Sequence, residues 1–92
     1  MKVPQLKAAM DAAKIGNWAS AESNARAYVN SNSHAPEGLY MQGICCMYKK
    51  MYAVACDKFN EANRISPSSR YKEARKYAES ALKAQNIYKR VL

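Results

Sequence analysis

Threonine is absent from this 92-residue chain, and the other β-branched residues are sparse, four valines and four isoleucines. Glycine and proline number three each, while Ala, Lys, Tyr and Met are plentiful. That mix favours helices over sheet and leaves no low-complexity linker or disordered tail. Long apolar runs are missing too. The longest, Leu39 to Tyr48, contains Gln42 and falls short of the roughly 20 residues that span a bilayer. The opening Met-Lys-Val-Pro-Gln-Leu has no apolar core of the kind a secretory signal needs. A cytoplasmic protein with no membrane partner is expected.

Reactive groups are equally scarce. The one histidine, His34, falls in a turn between helical stretches, and the seven acids are scattered singly. No Cys-His or Ser-His pairing and no Gly-rich phosphate loop can be drawn from the spacing. Three cysteines are an odd number, and Cys45 and Cys46 are neighbours. Adjacent helical side chains diverge by about 100°, which suits neither a disulfide nor a shared metal. A structural zinc site would need about four Cys or His ligands at recurring short spacings. Free buried thiols in a reducing compartment follow, and neither a catalytic residue, a metal nor a cofactor is expected. The chain reads as a non-enzyme.

Positive charge, by contrast, is abundant. Fifteen Lys and Arg against seven acids leave a net charge of +8. Residues 69–92 hold seven of the cations and only Glu73 and Glu79 in return. Arg70, Lys72, Arg75, Lys76 and Lys83 form the candidate basic face. Such a field favours acidic partners, though a solvated helix face looks the same in sequence. Tyr71 and Tyr77 could stack on bases beside those cations, but no nucleic-acid-binding signature accompanies them, so nucleic acid is disfavoured.

Two clusters of cap and turn residues, Ser31 to Pro36 and Ser66 to Ser69, punctuate the chain, with weaker breaks at Gly16-Asn17 and Lys49-Lys50. Between them the pattern predicts helices at about 4–14, 18–31, 36–48, 52–65 and 69–90. Trp18, Ala21, Ala25, Tyr28 and Val29 recur at helical spacing, as do Tyr52, Ala55, Phe59 and Ala62. In the last stretch Ala74, Tyr77, Ala78, Ala81, Ala84 and Tyr88 make an apolar stripe with charges opposite. Shifting the chain by 34 residues lays Trp18 on Tyr52, Ala19 on Ala53, Ala21 on Ala55, Ala9 on Gly43 and Ala25 on Phe59. An all-α fold of one domain is expected.

Leu39, Gly43, Cys46, Tyr52, Ala55, Phe59, Ala62 and Pro67 resemble the tetratricopeptide repeat in order and spacing. Cys46 stands where that family has Tyr, and Gln42 where it has Leu. Gly16 to Ala21 looks like the family's inter-helix turn in a degenerate first repeat. The resemblance implies repeats at about 2–35 and 36–69 and a long capping helix at about 70–92. It implies antiparallel helix pairs stacked as a short right-handed superhelix. The run from Leu39 to Cys45, with Phe59, Ala62, Pro67 and Ala81 to Ala84, also looks like an internal repeat of the J-domain co-chaperones that carry such arrays. Their His-Pro-Asp signature is absent.

Such arrays bind proteins, with inner helices lining a concave groove. Here the groove would hold Leu6, Met10, Tyr40, Ile44 and Met47, with Tyr71 at its edge. In the helix at 36–48, Leu39, Gly43 and Cys46 would form the packing stripe. Tyr40, Met41, Ile44, Met47 and Tyr48 make the other faces apolar as well, which suits an adaptable binding surface or burial under neighbours or a second copy. Some relatives clamp a C-terminal carboxylate with Lys, Asn and Arg. At the matching positions stand Leu6, Met10, Met41, Tyr71 and Arg75, of which Arg75 alone fits, so that function is not carried over. The expectation is a protein or peptide partner, hydrophobic or amphipathic, with an acidic one suited to the charge. A self-associating homodimer is the rival reading.

Overall fold

Three helices of this chain start at a polar cap or a proline that precedes an apolar periodic stretch. The computed structural model describes residues 3–91 and contains α1 (Val3–Lys14), α2 (Trp18–Ser31), α3 (Pro36–Tyr48), α4 (Tyr52–Ile65) and α5 (Ser69–Val91). The described residues are all-helical apart from short connections, at the positions the sequence pattern predicts. Lys2 and Leu92, which the expected repeat and capping helix take in, lie outside the described residues.

The Asn17 side chain caps α2 by accepting the Ser20 N–H at 3.3 Å. Pro36 opens α3, where its missing N–H has no helical partner to lose. Ser68 opens α5. Its N–H donates to Asn63 Oδ1 at 3.0 Å, and its Oγ accepts the Arg70 N–H at 3.2 Å.

The ends of α1 and α3 are built alike, 34 residues apart. Gly16 takes a positive φ of 78°, the Gly16 N–H donates to the Ala13 carbonyl and the Asn17 N–H to that of Ala12. Lys50 takes a φ of 62°, with the Lys50 N–H on Met47 and the Met51 N–H on Cys46. Both are left-handed caps that satisfy the last helical carbonyls, one with glycine and one with a side chain that strains it. The helices that follow, α2 and α4, are 14 residues each, with bounds displaced by the same 34.

Successive helices run alternately up and down. Ala12 packs with Ala21 while Ala9 packs with Ala25, so the numbering rises on one helix as it falls on the other. The same reversal relates Leu39 to Ala62, and Ala62 and Phe59 on α4 to Tyr71 and Ala78 on α5. Helix α1 also touches α3, so α3 is held on two sides, whereas α5 rests mainly on α4. The core is made largely of alanines, with Phe59 as its largest fully buried side chain.

Those neighbours explain two corrections on α3. Met41, expected away from the packing stripe, is buried against Ala9 and Ala25. Cys45 takes a fully packed place against Ala12 and Ala21, and Cys46, expected in the stripe, is half-buried. A helix flanked by α1 and α2 on one side and α4 on the other buries two stripes, not one. A further correction concerns α5. Of the expected stripe Ala78 is buried, but Tyr77 is 72% and Tyr88 68% exposed. A single neighbouring helix covers one face, and these residues stand on another.

Candidate functional site

Between α3 and α5 an apolar cleft of about 470 Å³ opens to solvent. Tyr40, Ile44 and Met47 form its α3 wall, at steps of four and three that place them on one helical face. Ala74 and Tyr77 form the α5 wall, and the Phe59 ring from α4 is the floor. Arg70 and Glu73 stand among its lining residues. Because α3 and α5 both run antiparallel to α4, they are parallel to each other, and the cleft follows both axes.

Three aromatic rings shape one end of it. The Tyr40 ring centroid lies 5.3 Å from that of Tyr71 and 5.8 Å from that of Phe59, both tilted, which is favourable aromatic geometry. Tyr71 is therefore part of the core beneath the cleft, buried with Leu39 and Ala62, and not an edge of it. Burial, and secondarily the Glu37 carboxylate, pushes its phenol above the ordinary value. Leu6 and Met10 lie elsewhere. Leu6 packs on the cluster of Ala9, Ala25 and Met41, and Met10 is exposed on α1. The cleft thus brings together Tyr40, Ile44 and Met47 of the six residues expected in a groove. It adds Phe59, Ala74 and Tyr77. The four-residue and three-residue steps along α5 hinted at the latter two, but nothing in the sequence placed α5 beside α3.

On the basic face, Arg75 is engaged by Asn60 Oδ1 at 3.2 Å and lies 3.3 Å from Glu79. Arg70, Lys72, Lys76 and Lys83 are exposed. A smaller cleft between α2, α3 and α4 carries mixed charge. There Glu22 pairs with Lys49 and, at 3.1 Å, with Arg26. The hydrogen bond from Lys49 holds the Glu22 carboxyl below its ordinary range.

The three thiols, of Cys45, Cys46 and Cys56, are unpaired, and burial pushes each above its ordinary pKa. They are protonated at neutral pH and poor nucleophiles. Among the described residues no three His, Cys, Asp or Glu side chains gather as metal ligands. Nor is any described helix long and apolar enough to cross a membrane. No protein-family model, curated protein or solved structure matches the chain.

Proposed function

We propose that the chain is a helical repeat module of the tetratricopeptide type whose α3–α5 cleft receives an apolar or amphipathic segment of another protein. The observation that carries this is the cleft itself. A chain with a net charge of +8 leaves Ile44, Met47 and Tyr77 around an open, apolar trough floored by its one phenylalanine. Methionine and tyrosine adapt to varied contacts, and a hydrophobic centre with polar residues at its rim is the usual anatomy of a protein interface. The repeat reading is supported by the 34-residue displacement of α2 onto α4 and by the matching left-handed caps at Gly16 and Lys50. It is supported also by Gly43, which lies against Phe59 where paired helices cross. A binding role, and no catalysis, accords with thiols held protonated and a single histidine exposed in a turn.

The test is a pull-down with the intact chain as bait beside its Ile44→Ser/Met47→Ser form. These residues are half-buried and Tyr40 supports the core, so the serine pair disturbs the cleft with less harm to the fold than a change at Tyr40. Proteins retained by the parent should be lost from the variant while its helical circular dichroism persists. Equal retention by both forms sinks the reading. The rival, a homodimer closed by the same surface, predicts a doubled mass by light scattering that the variant halves.

A further inference from the structure

We infer that the occupant of this trough is one face of an acidic amphipathic helix, docked along α5 over more than the first cleft. The inference rests on the reading of the α3–α5 cleft as a binding site and gives that site's partner a chemistry.

Length comes first. A second cleft, of about 460 Å³, continues along the same helix, lined by Ala81, Ala84 and Tyr88 of α5 and by Lys50 and Tyr52 at the head of α4. From Arg70 in the first cleft to Lys89 in the second, α5 advances about 28 Å, some five helical turns. On the face that follows that path apolar residues recur at 74, 77, 81, 84 and 88, and on to 91, in alternating steps of three and four. This is the seam by which one helix accepts another. Helix α4 does not use its outer part. Tyr77, Tyr88 and Val91 are each more than two-thirds exposed, at 72%, 68% and 77%. Extended peptides present side chains with a period of two and gain nothing from a seven-residue repeat.

Charge comes second. Arg70 lines the first cleft, Lys50 and Lys89 line the second, and Lys76 stands with Tyr77 and Glu73 between them. None of these four cations joins an ion pair among the described residues. Glu73 is the one acid lining either cleft. A second copy of the chain would bring another net charge of +8 against the first. Nucleic acid would satisfy the cations but leave the apolar seam uncovered. A helix with leucine-like residues on one face and carboxylates beside them satisfies both.

The test uses the full chain and two fluorescent 21-residue helical peptides with leucine at the heptad a and d positions. One carries glutamate at the outer positions and its twin carries lysine. Anisotropy should show the acidic peptide binding at least about tenfold tighter at low salt, with the preference shrinking as salt rises. Arg70→Glu/Lys89→Glu, two exposed positions at opposite ends of the trough, should erase or invert the preference. Tyr88→Ser/Val91→Ser should weaken the acidic peptide about tenfold, because both seam residues lie beyond the first cleft. Twins of equal affinity, both weakened by Ile44→Ser, would overturn the acidic partner while leaving the cleft a binding site. Binding indifferent to Tyr88→Ser/Val91→Ser would overturn docking beyond the first cleft. If neither peptide binds but an oligonucleotide does, with sensitivity to the same charge reversal, the partner is nucleic acid and the inference fails. A dimer dissolved by the serine pair and untouched by peptide would give the surface to a second copy, and the inference fails there too.

Discussion

Replacing Gly43 by alanine should destabilise the protein, although alanine is the better helix former by about 1 kcal/mol. A Cβ built on Gly43 would come under 3.0 Å from three atoms of the Phe59 ring, among them Cδ1 at 2.7 Å and Cζ at 2.9 Å. The ring is 1% exposed and packed with Ala55 and Ala78, so it must leave a well-packed position to admit the Cβ. Overpacking of this kind typically costs about 1–3 kcal/mol, and three contacts under 3.0 Å put this site in the upper part of that range, about 2–3 kcal/mol. Net of the propensity gain, Gly43→Ala should lose about 1–2 kcal/mol, or roughly 5–15 °C in melting temperature for a chain of this size. Gly43→Leu, with three more carbons and the same obstacle, should abolish the fold. The decisive measurement is a double-mutant cycle followed by circular dichroism. Phe59→Leu removes Cε1 and Cζ and lets the remaining end rotate. In that background Gly43→Ala should change sign and stabilise by up to about 1 kcal/mol, because the propensity gain remains and the clash has gone. A Gly43→Ala melt within a degree or two of the parent, or the same loss in both backgrounds, would refute a tight helix crossing at this point. The repeat alignment would fall with it.

Lys50→Gly should raise stability by about 0.5–1 kcal/mol, since glycine takes the positive φ of 62° without the penalty a Cβ carries; a lower melting temperature would contradict the cap assignment. Glu22 has its carboxyl pKa held down chiefly by the Lys49 hydrogen bond, so its contribution is present at neutral pH and fades as pH falls below the ordinary glutamate value of about 4.3. Glu22→Gln should accordingly melt below the parent at pH 7, and the gap should close on acidification; a gap independent of pH would deny the pair a role. Cys45 is 2% exposed, while Cys46 and Cys56 are half-buried, so a disulfide reagent should modify two thiols of the native chain well before the third, which waits for denaturant. Three thiols of equal reactivity would mean that the α1–α3 contact opens readily.

The helices were legible because their signals are local: Asn17, Pro36 and Ser68 mark starts, and the apolar residues between them keep one period. The 34-residue offset lays Ala9 on Gly43 and Ala25 on Phe59, and in the structure Ala9 packs with Ala25 as Gly43 lies against Phe59. What could not be read was the number of sides on which each helix is covered. Met41, whose face the sequence leaves open between a binding surface and burial under neighbours, is core because α1 reaches across to α3. Tyr77 and Tyr88 looked like core and are exposed because α4 covers one face of α5. Periodicity says that a face is apolar; which neighbour arrives at it is a long-range fact. The groove reading suffered for the same reason, gathering Leu6, Met10 and Tyr71 from faces that the structure assigns elsewhere.

The cleft follows from charges that stand, 34 residues on, where the first helices have apolar plugs. Helix α3 seats closely on α1 and α2 by burying Met41 and Cys45 against alanines. Thirty-four residues later those positions are Arg75 and Glu79. Neither can be buried without a large desolvation penalty, and at the surface they lie 3.3 Å from each other. Helix α5 therefore cannot seat on α4 as α3 seats on α2; it buries Tyr71 and Ala78 instead and meets α4 with a different face. Bulk acts in the same direction. Where Leu6 and Ala25 allow α1 to approach α3, the corresponding Tyr40 and Phe59 stand as tilted rings in contact between α3 and α5. The helices are wedged apart where they would otherwise close, and the space left is apolar because its walls were built on the pattern of a core. A core-like wall with no helix against it is what a partner's helix could complete.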